Sequence, residues 1–224
     1  MFLTSIVNFQ SLLSMSIRYP RVICYFSEKS NISKGKRTTI LDQEVKTGKI
    51  LIADPFLQDG EFTRSVILLT SFEDDNTMGF VLNKPTDVKV HEVFADFPDF
   101  DSKVYVGGPV DQNLLFFVHT RGDLIPNSVQ ITNKVYFGGD FETMRTLIET
   151  KKISNKQIRF FLGYSGWGKE QLQQEIYDDA WVIAPFKLSY LTTVKPKKVW
   201  HKAIKASKPE YTVFSEFPFT PSLN

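Results

Sequence analysis

The 224-residue sequence predicts a single α+β domain with a mixed, largely antiparallel, curled sheet and packed helices. Three observations carry this. Short β-branched or aromatic runs of strand length outnumber the stretches with helical spacing. Two pairs of runs are separated by polar turns short enough for hairpins. The strict strand-helix-strand alternation of a doubly wound parallel sheet is missing.

In chain order, Ile50–Ala53 is a short apolar strand ended by Asp54-Pro55. Arg64–Phe72 (RSVILLTSF) reads as a buried strand, Glu73-Asp74-Asp75-Asn76 as a turn, and Met78–Leu82 as the returning strand, stopped by Asn83-Lys84-Pro85. Val88–Phe97 places Val90, Val93, Phe94 and Phe97 at helical spacing. Val104–Val106 is a strand ended by Gly107-Gly108-Pro109, and Leu114–Thr120 is another. Val129–Thr132 and Val135–Phe137 flank an Asn-Lys turn. Asp140 is a helix N-cap for Phe141 to about Lys151, with Phe141, Met144, Leu147 and Ile148 on one face. Ile158–Leu162 is a strand running into a glycine-rich turn, Gly163–Gly168. Lys169–Tyr177 is a helix, Ala180–Ala184 the last strand, and Val199–Ala206 a basic amphipathic helix. The aromatic, Pro-rich ending Glu210–Asn224 is expected on the domain surface.

Composition narrows the function classes. Hydrophobic residues make up 42% of the chain, and its 20 phenylalanines supply a large core without polar atoms to satisfy. No apolar run approaches the ~18 residues of a membrane span. The single cysteine, Cys24, excludes an intramolecular disulfide, so no oxidising compartment is indicated and the cytoplasm is expected. Cys24, His91, His119 and His201 are too scattered for a Cys/His metal cage. No cofactor is expected.

Net charge is +4 over Met1–Thr47, −7 over Gly48–Phe186 and +5 over Lys187–Asn224. The acidic middle argues against direct nucleic-acid binding, which would have to use the basic ends. Residues 1–47 are Ser-rich and basic. They fit a transit peptide, a signal peptide, or a disordered tail or overextended start with Met15 as an internal initiator, and the last is favoured. The domain is then 48–224, with a basic C-terminal helix and an aromatic tail from residue 187.

The turn Gly163–Gly168 is the most specific feature. Its three glycines, read between a strand and a helix, allow positive φ or a close backbone approach, and the helix N-terminus behind them would suit an anion. The plainer reading is a tight corner with Trp167 covering the core. Ser165 resembles the G-x-S-x-G nucleophile elbow, but Trp167 stands where the second glycine belongs, and the only later histidine is His201. Gly107-Gly108-Pro109 is neither a Walker loop nor a dinucleotide fingerprint. His119 ends an apolar strand, where a lone histidine is usually structural. Asp54, Asp59 and Glu61 lack EF-hand spacing and read as turn acids. If the strands beginning at Arg64 and ending at Asn83 pair, both residues lie at one open end of the hairpin.

Together, Gly48–Pro55, Phe62–Leu69, Gly79–Pro85, Tyr105–Val110, His119, Phe161–Gly168, Gln171-Leu172, Glu175 and Ala180-Trp181 resemble, in order and spacing, the YqgE/AlgH family of bacterial proteins (UPF0301), with an ending like that of Bacteroidetes members. The family's Pro-Gly pair before Gln-Leu is replaced by Lys169-Glu170, and the segment before Lys46 has no counterpart. The resemblance covers about Gly48 to Phe186. It implies a compact α+β fold with a curled sheet and no established enzymatic activity. One branch is named as a transcriptional regulator of alginate production, and this sequence carries no helix-turn-helix signature.

The expectation is a non-enzymatic cytosolic protein that binds a protein or small-molecule partner, with an indirect regulatory role. The candidate binding residues are Arg64, Asn83, Gly107, Gly108, His119, Tyr164, Ser165 and Trp167. The alternatives are a hydrolase using Ser165 or His119, and a transcriptional regulator binding nucleic acid through the basic C-terminal segment.

Overall fold

The computed structural model describes residues 45–57, 59–73, 76–94, 96–168, 170–211 and 213. Most of the N-terminal extension, with Cys24, lies outside them, as do Asp74, Asp75, Lys169 and the ending from residue 214.

The described strands are β1 (Lys49–Ala53), β2 (Val66–Glu73), β3 (Asn76–Val81), β4 (Pro85–Lys89), β5 (Lys103–Val106), β6 (Val110–His119), β7 (Val129–Thr132), β8 (Val135–Phe137), β9 (Ile158–Gly168) and β10 (Trp181–Pro185). They form one sheet in the order β10-β1-β2-β3-β9-β6-β8-β7, with β5 also on β9 and β4 outside β5. The β5–β9 pairing is parallel and the others are antiparallel, as a mixed, largely antiparallel sheet requires. The helices are α1 (Val90–Val93), α2 (Phe141–Glu149), α3 (Gln171–Tyr177), α4 (Ser189–Thr192) and α5 (Pro196–Ser207), followed by a 3-10 turn at Pro209–Tyr211.

β1, the first half of β2 and most of β9 are buried at successive positions because both faces of the sheet are covered there. Ile50, Ile52, Val66, Leu68, Phe80, Phe116, Val118 and Phe161 face the inside of the curl, which α5 fills with Val199, Trp200, Ala203 and Ile204. The intervening residues Leu51, Ala53, Ile67 and Leu69 point outward against Leu172 and Ile176 of α3. Further along the sheet, Phe117 and Phe160 point outward against Phe141, Met144, Leu147 and Ile148 of α2. Each fully buried Val, Leu, Ile, Phe or Met among them stabilises the fold by about 1.5–3 kcal/mol. Trp200 meets its polar need in the core by donating Nε1–H to the Ala53 carbonyl at 2.8 Å. The N-cap reading of Asp140 holds, since its Oδ1 accepts from the Thr143 N–H at 2.7 Å.

Several elements differ from expectation. The helix expected over Val88–Phe97 is one turn, Val90–Val93, because the chain from Pro85 to Lys89 is drawn onto β5 as a strand, helped by Thr86 Oγ1 donating to Val104 O at 2.8 Å. The single turn α4 lay unseen in a short stretch without helical periodicity. Most consequentially, Gly163–Gly168 is not a strand-to-helix turn. β9 continues through it to Gly168, and α3 begins only at Gln171, after Glu170 in a left-handed conformation.

Candidate functional site

The glycines mark a crossing of backbones. Val106 pairs with Leu162 on one edge of β9, while Val110 pairs with Tyr164 on the other. Gly107-Gly108-Pro109 therefore passes over the face of β9. A Cβ on Gly107 would collide with the Gly163 carbonyl oxygen, and one on Gly108 with the backbone of Tyr164 and Ser165. A Cβ on Gly163 would lie 2.6 Å from Val110 O and 2.7 Å from Gly108 O. Gly163 also has φ of 68°, open to glycine at little cost. The alternation of β9 inverts here, opposite the register shift between Val110 and Leu115 of β6. Phe161 and Tyr164, three apart, both face the inner core, and Trp167 faces the outer one.

Hydrogen bonds lock the crossing. Gly107 N–H donates to Leu162 O at 2.8 Å, and Gly107 O accepts from Val81 N–H at 2.9 Å. Ser165 is fully buried, and its Oγ–H donates to the same Gly107 carbonyl at 3.1 Å. Tyr164 is buried edge-on against Phe116.

Arg64 and Asn83 do come together, because β2 and β3 pair in the expected hairpin. Asn83 Oδ1 accepts from Val66 N–H at 2.9 Å and its Nδ2 donates to Arg64 O at 2.8 Å, clamping the hairpin end. The Arg64 guanidinium lies over the Trp200 ring, 5.1 Å from its centroid. Lys84 Nζ donates to the Glu61 carbonyl, and burial lowers its pKa against the raising effect of Asp59 and Glu61. The acids nearby cap turns: Asp54 Oδ1 accepts from Phe56 N–H at 2.9 Å, and Asp59 Oδ1 from Glu61 N–H at 2.8 Å.

Trp167 belongs to a different cluster on the outer face. Its Nε1–H and that of Trp181 both donate to Glu175 Oε2, at 2.9 and 2.8 Å. The other carboxylate oxygen accepts from Gln171 Nε2 at 2.9 Å. Gly168 N–H is taken by Gln171 Oε1 at 3.2 Å, so the glycine stretch does not aim open N–H groups at an anion.

His119 is fully buried at the far end of β6. Its Nε2 lies 2.9 Å from Gly138 O and 3.1 Å from Ser128 Oγ, and its Nδ1 accepts from Arg121 N–H at 3.1 Å. That pattern fits the neutral Nε2–H tautomer, and burial lowers the pKa to about 4. His119 pairs with Ile158, seven residues along β9 from Ser165, about 20 Å at the rise of an extended strand. The serine-histidine pair of the hydrolase alternative is thus not assembled, and Ser165 is sealed from any substrate.

A shallow groove of about 420 Å³ opens beside this end. Thr120, Lys134, Tyr136, Lys156 and Gln157 line it, with Leu188 and Thr192 at the two ends of α4. Its one acid, Asp123, is held by Arg121 through two contacts of 2.9 Å.

Sequence reasoning also missed Arg159. Its guanidinium is buried, 4.5 Å from the Tyr105 ring centroid, and donates to Leu82 O at 2.9 Å, Tyr190 O at 3.2 Å and Leu191 O. These carbonyls end β3 and the single turn α4, so the arginine satisfies orphaned acceptors that no backbone N–H reaches. The only available signal was an arginine inside the run Ile158–Leu162.

Comparison with known proteins agrees with this architecture. The AlgH-like family model matches residues 50–212. The UPF0301 protein of Cytophaga hutchinsonii is 39% identical over 179 residues, covering 79% of this chain and 98% of its own. That of Parabacteroides distasonis is 38% identical over 179 residues, covering 79% and 90%. A crystal structure of a Corynebacterium diphtheriae protein superposes with a TM-score of 0.65 at 24% identity, covering 78% of this chain and 93% of the other. The solution structure of the AlgH protein from Pseudomonas aeruginosa gives 0.62 at 21% identity, covering 85% and 100%. Sequence and fold agree, and this chain belongs to the AlgH-like (UPF0301) family.

Proposed function

We propose that this protein works without catalysis, binding a partner in the cytoplasm and acting indirectly as a regulator. The observation that carries the reading is the commitment of Ser165 and His119. Each is fully buried, each is hydrogen-bonded to backbone, and they sit at opposite ends of the pairing between β6 and β9. A hydrolase needs its nucleophile and base within hydrogen-bond reach of each other and of the substrate. Of the eight candidate residues, the half-buried Arg64 retains a charged group near the surface, while Gly107, Gly108 and Asn83 hold backbone together. Partner contacts then fall to Arg64 and to the groove beside α4.

The test is a panel of chromogenic carboxylic esters, phosphate esters and glycosides. Purified protein is expected to leave them unturned. Turnover that disappears in a folded Ser165→Ala or His119→Gln variant would overturn the reading.

A further inference from the structure

We propose that the lysine face of α5, with the lysines that flank α4 and the groove beside α4, is a docking surface for an acidic polypeptide segment. This deepens the partner-binding reading above and rests on it.

From Lys187 to Lys208 the chain carries seven lysines and no acid. Helix α5 buries Val199, Trp200, Ala203 and Ile204 against the sheet, so Lys197, Lys198, Lys202 and Lys205 are turned out and exposed. Lys198, Lys202 and Lys205 follow i, i+4, i+7, one stripe along the helix about 10 Å long. Lys187 and Lys195, both exposed, bracket α4. Ends of that same turn, Leu188 and Thr192, line the groove, where Lys134 and Lys156 add two exposed cations. The side-chain ion pairs of the described residues, Lys89–Asp101, His91–Asp99, Lys103–Asp87, Arg121–Asp123 and Arg145–Glu142, engage none of these lysines.

Lys205, in the last turn of α5, complements the helix dipole, and Lys208 lies over the Tyr211 ring, 4.8 Å from its centroid, but the fold gains little from the other lysines. Lysines four apart on a helix repel, and Lys197 and Lys198 stand at the N-terminal end of α5, whose first turn has no acid to complement the helix dipole. Interspersed acids would serve a purely solvating face better. The arrangement makes sense as charge held for an opposite charge.

The chemistry selects the class of partner. The stretch contains no arginine, the side chain that grips phosphate bidentately. The segment Gly48–Phe186 carries −7 overall, a net charge that disfavours a long polyanion reaching beyond the lysines. A short run of Asp and Glu touches the strip alone. Beside it the groove offers Tyr136, Gln157 and Thr120, which suit backbone amides and an apolar side chain.

The probe is a fluorescein-labelled deca-glutamate peptide, read by anisotropy against the full chain at 150 mM salt, beside single-stranded and duplex DNA of equal charge. The peptide is expected to bind at least tenfold more tightly than either DNA. Lys198→Glu/Lys202→Glu and Lys134→Glu/Lys156→Glu are each expected to weaken it tenfold or more. A matched reversal elsewhere, Lys46→Glu/Lys152→Glu, changes net charge equally and is expected to weaken it less than threefold. Far-UV circular dichroism checks each fold, and Lys→Gln pairs at the same positions replace any reversal that unfolds. DNA binding as tight as peptide would overturn the acidic-segment assignment while leaving a non-catalytic binding role intact. Equal losses in all three variants, or no peptide binding, would overturn the surface itself.

Discussion

If backbone crossing is what Gly107, Gly108 and Gly163 serve, one methyl group at Gly163 should be among the most damaging small changes available. Gly163→Ala introduces two separable penalties. The first is conformational: a φ of 68° costs an L-residue about 1–2 kcal/mol. The second is steric: a Cβ 2.6 and 2.7 Å from two backbone oxygens lies well inside the 3.0 Å limit that real Cβ atoms respect. The neighbours are backbone, so relief means moving β9 or the crossing strand, at an overpacking cost of about 1–3 kcal/mol. The expected total is about 3–4 kcal/mol, a shift near 1.5–2 M in urea midpoint for a slope of about 2 kcal/mol per M. Two controls divide it. Gly138→Ala has a φ of 62° with nothing within 4 Å of the new Cβ, and should show the conformational part alone, about 1 kcal/mol. Gly107→Ala, where the collision is with the Gly163 carbonyl at ordinary φ, should show the steric part, about 3 kcal/mol. Urea unfolding is followed by the buried Trp167, Trp181 and Trp200. A Gly163→Ala loss no greater than that of Gly138→Ala would refute the crossing as the reason for the glycine.

Other expectations follow from the same geometry. Burial holds His119 neutral down to about pH 4, whereas the unfolded chain takes up that proton near 6.5. Its contribution is therefore complete above pH 6.5 and is lost as pH falls toward 4, by about 3 kcal/mol, and stability measured across that window should flatten in His119→Gln. Glu175→Ala strands two indole N–H groups and should cost about 2–3 kcal/mol, with a changed tryptophan emission spectrum; an unchanged spectrum would count against the shared carboxylate. Arg159→Met leaves the carbonyls of Leu82, Tyr190 and Leu191 without that donor and should cost about 3 kcal/mol. Faster amide exchange confined to 189–194 would show the loss is at α4, and uniform exchange would refute that placement.

Much of the sheet was legible because strand chemistry is local. β7 and β8 fall where the alternating runs around the Asn-Lys turn put them, and the β2–β3 hairpin brings Arg64 and Asn83 together as its turn implied. The N-cap of α2 was readable for the same reason, since an aspartate and an N–H three residues later are neighbours in any chain that turns helical there. The site was less legible. Read locally, Gly163–Gly168 is a corner, and the strand beside it that keeps it extended belongs to residues 76–79. Ser165 stood among the candidate binding residues because nothing in its neighbourhood announces that Gly107, 58 residues earlier, lies across it. Arg159 was overlooked because its acceptors are 77, 31 and 32 residues away.

Apolar periodicity records that a face is buried, and turn chemistry records where the chain reverses, so the sequence alone already determined an α+β domain with a curled, mostly antiparallel sheet. The same letters cannot record what a face is buried against. The parallel pairing of β5 with β9, the passage of Gly107-Gly108 over Gly163, the sealing of Ser165 and His119 and the placing of the exposed Lys134 and Lys156 beside α4 all depend on contacts between distant segments. Those contacts exist only once the chain has closed on itself, because closing the intervening loops is repaid by packing that no local stretch contains.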